Sequence, residues 1–184
     1  MKFTSAGNEI GAVISGEQVK AQPQVAVRIL DSETDAHIAV VRDLFLEYAQ
    51  SLGFSLCFQS FDQELASLPG KYAPPRGALL IAEVGRQTAG CVALRALDAE
   101  DHICEMKRLY VCPAFRGLGL GRTLTAAVMA RARQLGYTAM RLDTVVGKMD
   151  EAIALYRALG FREIAPYTEN PIAGALYMEL ALRD

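Results

Sequence analysis

The residues best suited to chemistry lie between Cys104 and Leu135, where Arg116-Gly117-Leu118-Gly119-Leu120-Gly121-Arg122 separates a short apolar run, Met106 to Val111, from a helical pattern. Glycines let a backbone approach a ligand closely, and a helix N-terminus presents unpaired N–H donors backed by a partial positive charge. That combination binds phosphate. Arg116 and Arg122 bracket the run and add charge-assisted donors for phosphate oxygens. Spacing narrows the ligand. A dinucleotide fingerprint, G-x-G-x-x-G, fails in both registers, because its third glycine would fall at Arg122 or at Leu124. A P-loop fails as well, since neither Gly70-Lys71-Tyr72 nor Gly147-Lys148-Met149 closes on Ser or Thr. What remains is Arg116-x-x-Gly119-x-Gly121, a pattern that an ordinary glycine-rich turn before an amphipathic helix would also satisfy.

The elements that must hold this run follow from periodicity. Val25 to Leu30 has strand character, Asp31 or Ser32 offers an N-cap, and Ile38, Val41, Phe45 and Tyr48 recur at helical spacing up to Gly53. Phe54, Leu56, Phe58 and Phe61 form an apolar cluster suited either to helix-on-sheet packing or to the wall of a substrate pocket. A short helix from about Asp62 to Leu68 ends at Pro69-Gly70, and residues 72–77 have loop composition. Ala78 to Val84 and Ala89 to Leu97 are strands joined by the turn Gly85-Arg86-Gln87-Thr88, and the polar residues Asp98 to Asp101 lead into the strand before the glycine run. The following helix, with Leu124, Val128 and Leu135 on one face, stops at Gly136. Met140 to Val145 is then a strand, and strand–helix–strand implies a parallel pair with a right-handed crossover. A helix from Asp150 to Leu159, a strand from Phe161, a polar excursion Tyr167 to Asn170 and a last strand Ala175 to Leu182 complete the order β-α-α-β-β-β-α-β-α-β-β. This fits an α+β fold, a mixed sheet with helices on both faces.

Composition bounds the rest. The 184 residues, 52% of them hydrophobic, suit one domain with a substantial core, expected over residues 25–184, with residues 1–24 as an N-terminal extension or an added edge strand. A formal charge of −2 gives no reason to expect nucleic acid as a partner. Cys57, Cys91, Cys104 and Cys112 are scattered without a C-x-x-C pair, and with only His37 and His102 beside them they make a poor metal set and read as reduced thiols. The first 24 residues lack a continuous apolar h-region, and no apolar run reaches the length of a membrane span, so a cytoplasmic protein is expected.

Arg116-x-x-Gly119-x-Gly121 resembles the acetyl-CoA pyrophosphate motif of the GNAT acetyltransferases, R/Q-x-x-G-x-G/A. Downstream, Ala152-x-x-x-Tyr156-x-x-x-Gly160-Phe161 resembles the family's A-x-x-x-Y-x-x-x-G-F segment. Two such motifs in the right order, with the expected strand between them, are far harder to obtain by chance than one. The resemblance spans roughly Val25 to the end and implies a six- to seven-stranded mixed sheet whose parallel pair splays apart around acetyl-CoA. It implies that backbone groups of Leu109, Tyr110 and Val111 pair with the pantetheine arm, with the N–H of Leu109 or Tyr110 facing the developing oxyanion. It places the pyrophosphate on the N–H groups of Gly117, Leu118, Gly119, Leu120, Gly121 and Arg122, with the Thr123 hydroxyl added and Arg116 and Arg122 as countercharge. Tyr156 takes the family's place for the acid that protonates the leaving thiolate. Glu105 stands eleven positions before Arg116, where histone-modifying relatives carry a catalytic base, or else partners Lys107 or Arg108. One residue departs from the pattern: relatives commonly carry Asn where this chain has Met149, so the arm loses a side-chain contact.

The activity implied is N-acetylation of a primary amine, on a small molecule or alternatively on a protein; a non-catalytic acyl-CoA sensor and an acyltransferase using a longer chain or a hydroxyl acceptor are the competing readings. An amine with pKa near 10.4 must be presented neutral, which costs about 4.6 kcal/mol at pH 7 and makes a base or a water chain useful. Lys107, Arg108 and Arg95 are candidates to receive a carboxylate of an amino-acid-like acceptor. The segments Phe54 to Tyr72 and Tyr167 to Asn170 would form the acceptor pocket, and a homodimer through terminal strands is a further expectation of the family.

Overall fold

The computed structural model describes residues 26–97 and 102–182; the expected N-terminal extension and the turn Asp98 to Asp101 lie outside them. In chain order the elements are β1 (Val27–Asp31), α1 (Asp35–Ser51), α2 (Phe61–Ser67), β2 (Ala78–Val84), β3 (Gln87–Ala96), β4 (Ile103–Val111), α3 (Leu120–Gln134), β5 (Ala139–Val145), α4 (Asp150–Ala158), β6 (Arg162–Ile164) and β7 (Ala175–Ala181), with short 3-10 turns at Cys57–Gln59, Gly70–Tyr72 and Pro113–Phe115. The strands form one seven-stranded mixed sheet in the order β1-β2-β3-β4-β5-β7-β6. All neighbours are antiparallel except β4 and β5, whose connection through α3 is long enough for a parallel crossover.

Both faces of the sheet are covered, which is why β2 is apolar at nearly every position. Alternate residues point to opposite sides. Leu79 and Ile81 join Val41, Phe45 and Tyr72 under α1 and α2, whereas Leu80 and Ala82 join Leu124, Val128 and Tyr156 under α3 and α4. Two boundaries differ from the sequence expectation for identifiable reasons. Thr34 caps α1 by accepting from the His37 N–H, because Asp31 still belongs to β1 and the Ser32 N–H bonds the Leu79 carbonyl. The β2–β3 turn is the two residues Gly85-Arg86, because Gln87 and Thr88 already pair with Val84 and Glu83. Gly90 on β3 permits a close approach: a Cβ there would lie 2.3 Å from the Tyr110 carbonyl oxygen of β4.

Candidate active site

The site begins where the sheet opens. β4 and β5 pair only at Ile103↔Ala139, Cys104↔Met140 and Glu105↔Arg141, so the remainder of β4 has no strand neighbour on that side. On its other side β4 carries a bulge: Tyr110 pairs with Cys91 and Lys107 with Ala93, leaving Arg108 and Leu109 opposite Val92. A bulge bends its strand and raises the local twist, which directs β4 away from β5. The bulge also puts Arg108 in the left-handed region, at φ 56°, a conformation unfavourable by roughly 1–2 kcal/mol for a residue with a Cβ. The Arg108 side chain offsets that strain. Buried on β4, it donates two bonds to Glu64 of α2 at 2.8 and 2.7 Å and one to Gln59 at 3.0 Å, and its guanidinium lies over the Phe61 ring.

Beyond β4 the chain turns through Pro113–Phe115 into the glycine run, where Gly117 and Gly119 have φ of 79° and 75° and Gly119 caps α3. Side chains resist this conformation, whereas a Cβ at either glycine would meet nothing within 4 Å. The space beside both Cα atoms is therefore open. Among the described residues no protein acceptor is bonded to the N–H groups of residues 117–122; the flanking bonds are Arg116 N–H to Pro113 and Thr123 N–H to Gly119. These amides border a groove of about 820 Å³ between β4 and α4, whose walls include Leu109, Tyr110, Val111, Arg116, Leu120 and Arg122. Leu118, 58% exposed, can offer only its backbone, and the Thr123 hydroxyl donates to the Gly119 carbonyl at 3.3 Å. Gly121 seats α3 against α4, with Leu155 3.4 Å from where its Cβ would be.

The groove leads into the gap between the parting strands, a small space of about 40 Å³ bordered by Leu109, Leu142, Thr144, Tyr48 and Tyr156. Tyr156, on α4, is buried with its ring 5.7 Å from Phe161, and its hydroxyl has no protein partner among the described residues. Burial, with Tyr48 and Asp143 nearby, pushes its phenol above the ordinary range. Tyr48 enters from α1 on the opposite face of the sheet, edge-on to Tyr110, and its hydroxyl likewise has no protein partner among the described residues. Burial pushes it up to about 12 despite the opposing Arg108 charge. Met149 stands where an amide side chain was expected from the resemblance, and its sulfur accepts from the Thr144 hydroxyl at 3.5 Å.

Charged side chains close the far end of the gap, joined by hydrogen bonds and ion pairs. Asp143 of β5 accepts from Lys107 at 2.7 Å, from Gln59 at 3.1 Å and from Asn170 at 3.0 Å. Burial would raise its pKa, but the Lys107 charge and the bonds from Lys107 and Asn170 outweigh this and hold it below the usual carboxylate range. Glu105 is 1% exposed; Arg95 donates to one of its oxygens at 2.6 Å, Tyr167 donates to the other at 2.9 Å, and Lys107 is 3.7 Å away. Both Glu105 oxygens are thus engaged, and the residue does not border the gap. Each of Arg95, Lys107 and Arg108 already has a carboxylate partner within the protein. Tyr167 and Asn170 do reach the site, while the aromatic cluster divides: Phe54 borders the gap and Phe61 is buried beneath Arg108. Sequence reasoning missed Tyr48 and Asp143, and reached Gln59 only as one position within the expected acceptor segment Phe54 to Tyr72. An acid between Leu142 and Thr144 in an interior strand was the one available signal for the other two; Tyr48 gave none.

A model of the acetyltransferase (GNAT) family matches residues 39–161. An uncharacterized N-acetyltransferase of Schizosaccharomyces pombe is 43% identical over 140 residues, covering 76% of this chain and 85% of that protein. An IAA acetyltransferase of Azospirillum brasilense is 36% identical over 113 residues, covering 60% and 71%. Among solved structures, yncA of Salmonella typhimurium with its cofactor acetyl-CoA superposes with a TM-score of 0.61 at 20% identity, over 86% of this chain and 95% of that one.

Proposed function

The chain belongs to the GNAT family of acetyltransferases, and from that membership we propose that it moves the acetyl group of acetyl-CoA to a primary amine of a small molecule by direct attack within a ternary complex. The observation that carries the reading is the run of unbonded amides at residues 117–122 beside the opened β4–β5 pair: one end suits a pyrophosphate, the other a thioester. The IAA acetyltransferase among the relatives supports a small-molecule acceptor. The residues present fit acetyl-CoA, which supplies an activated thioester.

Backbone groups of Leu109, Tyr110 and Val111, without a strand neighbour on the β5 side, would pair with the pantetheine arm. The N–H of Leu109 or Tyr110 and the Tyr48 hydroxyl are the donors closest in kind to what a developing oxyanion needs. Tyr156 would hand a proton to the departing sulfur. Moving a proton from a phenol to a thiolate is uphill by about 2 kcal/mol for unshifted groups, and burial of Tyr156 adds to that, so Tyr156 acts as a relay that regains its proton from the amine through water. Glu105, with both oxygens engaged, serves as a positioning residue that orients Lys107 and Tyr167.

The test is thiol release from acetyl-CoA across a panel of primary amines, with Gly119→Glu beside the wild type. Release with at least one small amine and loss of acetyl-CoA binding in Gly119→Glu are expected, since a carboxylate and a strained φ would both enter the cradle. Unchanged acetyl-CoA affinity in that variant would refute the amide cradle.

A further inference from the structure

A second cavity, of about 350 Å³, opens beside the gap on the α2 side of the sheet, and Gln59 borders both spaces. Its walls mix apolar surface with polar side chains, Gln63, Glu64, Lys71, Tyr72 and Arg95 among them. Glu64 presents no unpaired charge to it, because Arg108 grips both its oxygens and the Tyr72 hydroxyl donates to one of them at 3.0 Å. Arg95 differs. Its Nε and one terminal nitrogen both bond the same Glu105 oxygen, at 2.6 Å each. A guanidinium has five N–H donors in one plane, so the donors on its other edge have no protein acceptor among the described residues. The Arg95 side chain is 28% exposed whereas that of Glu105 is 1% exposed, and Arg95 is among the residues that border this cavity.

Glu105 thus fixes the orientation of the guanidinium from behind and cancels part of its charge. The result suits a planar monoanion taken by parallel N–H groups better than a multiply charged phosphate. The register sets how far that anion lies from the chemistry. Arg95 stands opposite Glu105, which precedes Leu109 by three to four strand steps once the bulge is discounted, roughly 10–13 Å at about 3.3 Å per step. The guanidinium is tied to Glu105, directly across the register, so the arginine does not reach along the strand toward Leu109, and an amine whose carboxylate lies several bonds away suits this separation better than an α-amino carboxylate.

We infer that this cavity is an anionic subsite for the acceptor, in which the outer edge of Arg95 receives a carboxylate carried several bonds away from the amine that is acetylated. The inference rests on the acetyltransferase reading for the position of the amine and extends it to the class of substrate, an ω-amino acid or a longer amine of the same kind.

Two measurements test it on the full chain. Binding of ε-aminocaproate and of its amide to protein saturated with CoA is followed by calorimetry, and turnover of both by thiol release from acetyl-CoA. The acid is expected to bind at least tenfold more tightly than the amide. In Arg95→Lys, which keeps a cation for Glu105 but loses the second edge of donors, that ratio is expected to fall to near one, with KM for the acid rising in parallel. Equal binding of acid and amide by the wild type would overturn the subsite. So would a preference that persists in both Arg95→Lys and Arg95→Gln while their circular dichroism matches the wild type. Because the calorimetric arm needs no turnover, an Arg95-dependent preference without acetylation would leave the subsite standing and remove the catalytic reading instead.

Discussion

Two phenols approach the same small gap from opposite faces of the sheet, Tyr156 beneath α4 and Tyr48 from α1, and they can do so because β4 and β5 stop pairing after Glu105 and Arg141. Burial raises both above the ordinary phenol value, so at any pH at which the protein works each carries its proton and acts as a hydrogen-bond donor. Their roles predict different kinetics. If Tyr156 has the proposed role, Tyr156→Phe removes the group that protonates the leaving sulfur, and kcat should fall about 10²-fold or more, within the range of general acid catalysis, with the KM for acetyl-CoA nearly unchanged. Tyr48→Phe removes one neutral donor from a site that retains backbone donors, so a smaller drop in kcat, about tenfold, is expected. Neither phenol ionises near neutrality, so the alkaline limb of kcat against pH below pH 9 should be the same in Tyr156→Phe as in wild type. An alkaline limb abolished by that substitution would mean that Tyr156 titrates where its burial forbids.

At the scale of elements, the bulged strand β4 is held by α2 through one buried pair. The Arg108 side chain is 2% exposed and that of Glu64 12%, and among the described residues the guanidinium has no other carboxylate within bonding distance. Glu64→Ala would leave a buried cation alone, a change that costs about 3–5 kcal/mol in comparable cases and should lower the melting midpoint by on the order of 10 °C. The loss should exceed that of Glu163→Ala, whose partner Arg157 is 58% exposed. Gly90→Ala should destabilise for a different reason, since its Cβ would collide with the Tyr110 carbonyl rather than leave a group unpaired. These ties also mark what could be read from the chain alone. The strand and helix order, the glycine run and Tyr156 were legible because each is a local pattern: a period of two or of 3.6, a turn residue, a motif of ten residues or fewer. The bulge was not, because its left-handed residue is Arg108 rather than a glycine. The charge pairing was not either. Glu105 has Lys107 and Arg108 as sequence neighbours, yet its shortest ion pair is with Arg95, which only the β3–β4 register places opposite. Gln59 reaches Asp143 across 84 residues of chain, a contact that no window of sequence contains.

Over the whole molecule, a net charge of −2 conceals a site in which Arg95, Lys107 and Arg108 are matched by Glu105, Asp143 and Glu64 across β3, β4, β5 and α2. The same carboxylates that shape the acceptor end therefore also tie the sheet to α2, and pH should act on the two together. Asp143 and Glu64 have ordinary values of 3.8 and 4.5; burial raises both, but Lys107 acting on Asp143 and Arg108 acting on Glu64 outweigh burial and lower them in the folded state. For an acid with a lowered folded value, the unfolded chain takes up protons first. The stabilisation is then complete above about pH 4.5 and disappears progressively as pH falls through the lower folded values. The tyrosines act in the opposite sense: their raised values keep their contribution intact below the ordinary phenol value near 10, and it fades only above that. A plateau of stability from about pH 5 to pH 9, falling away on the acid side, is the expected profile. Urea midpoints measured at pH 3, 4, 5 and 7 check it: the midpoint should drop between pH 5 and pH 3. Asp143→Asn, less stable at pH 7, should show a shallower drop because one of the two titrating groups is gone. A mutant curve parallel to the wild type across that interval would show that Asp143 does not couple the acceptor end to the fold.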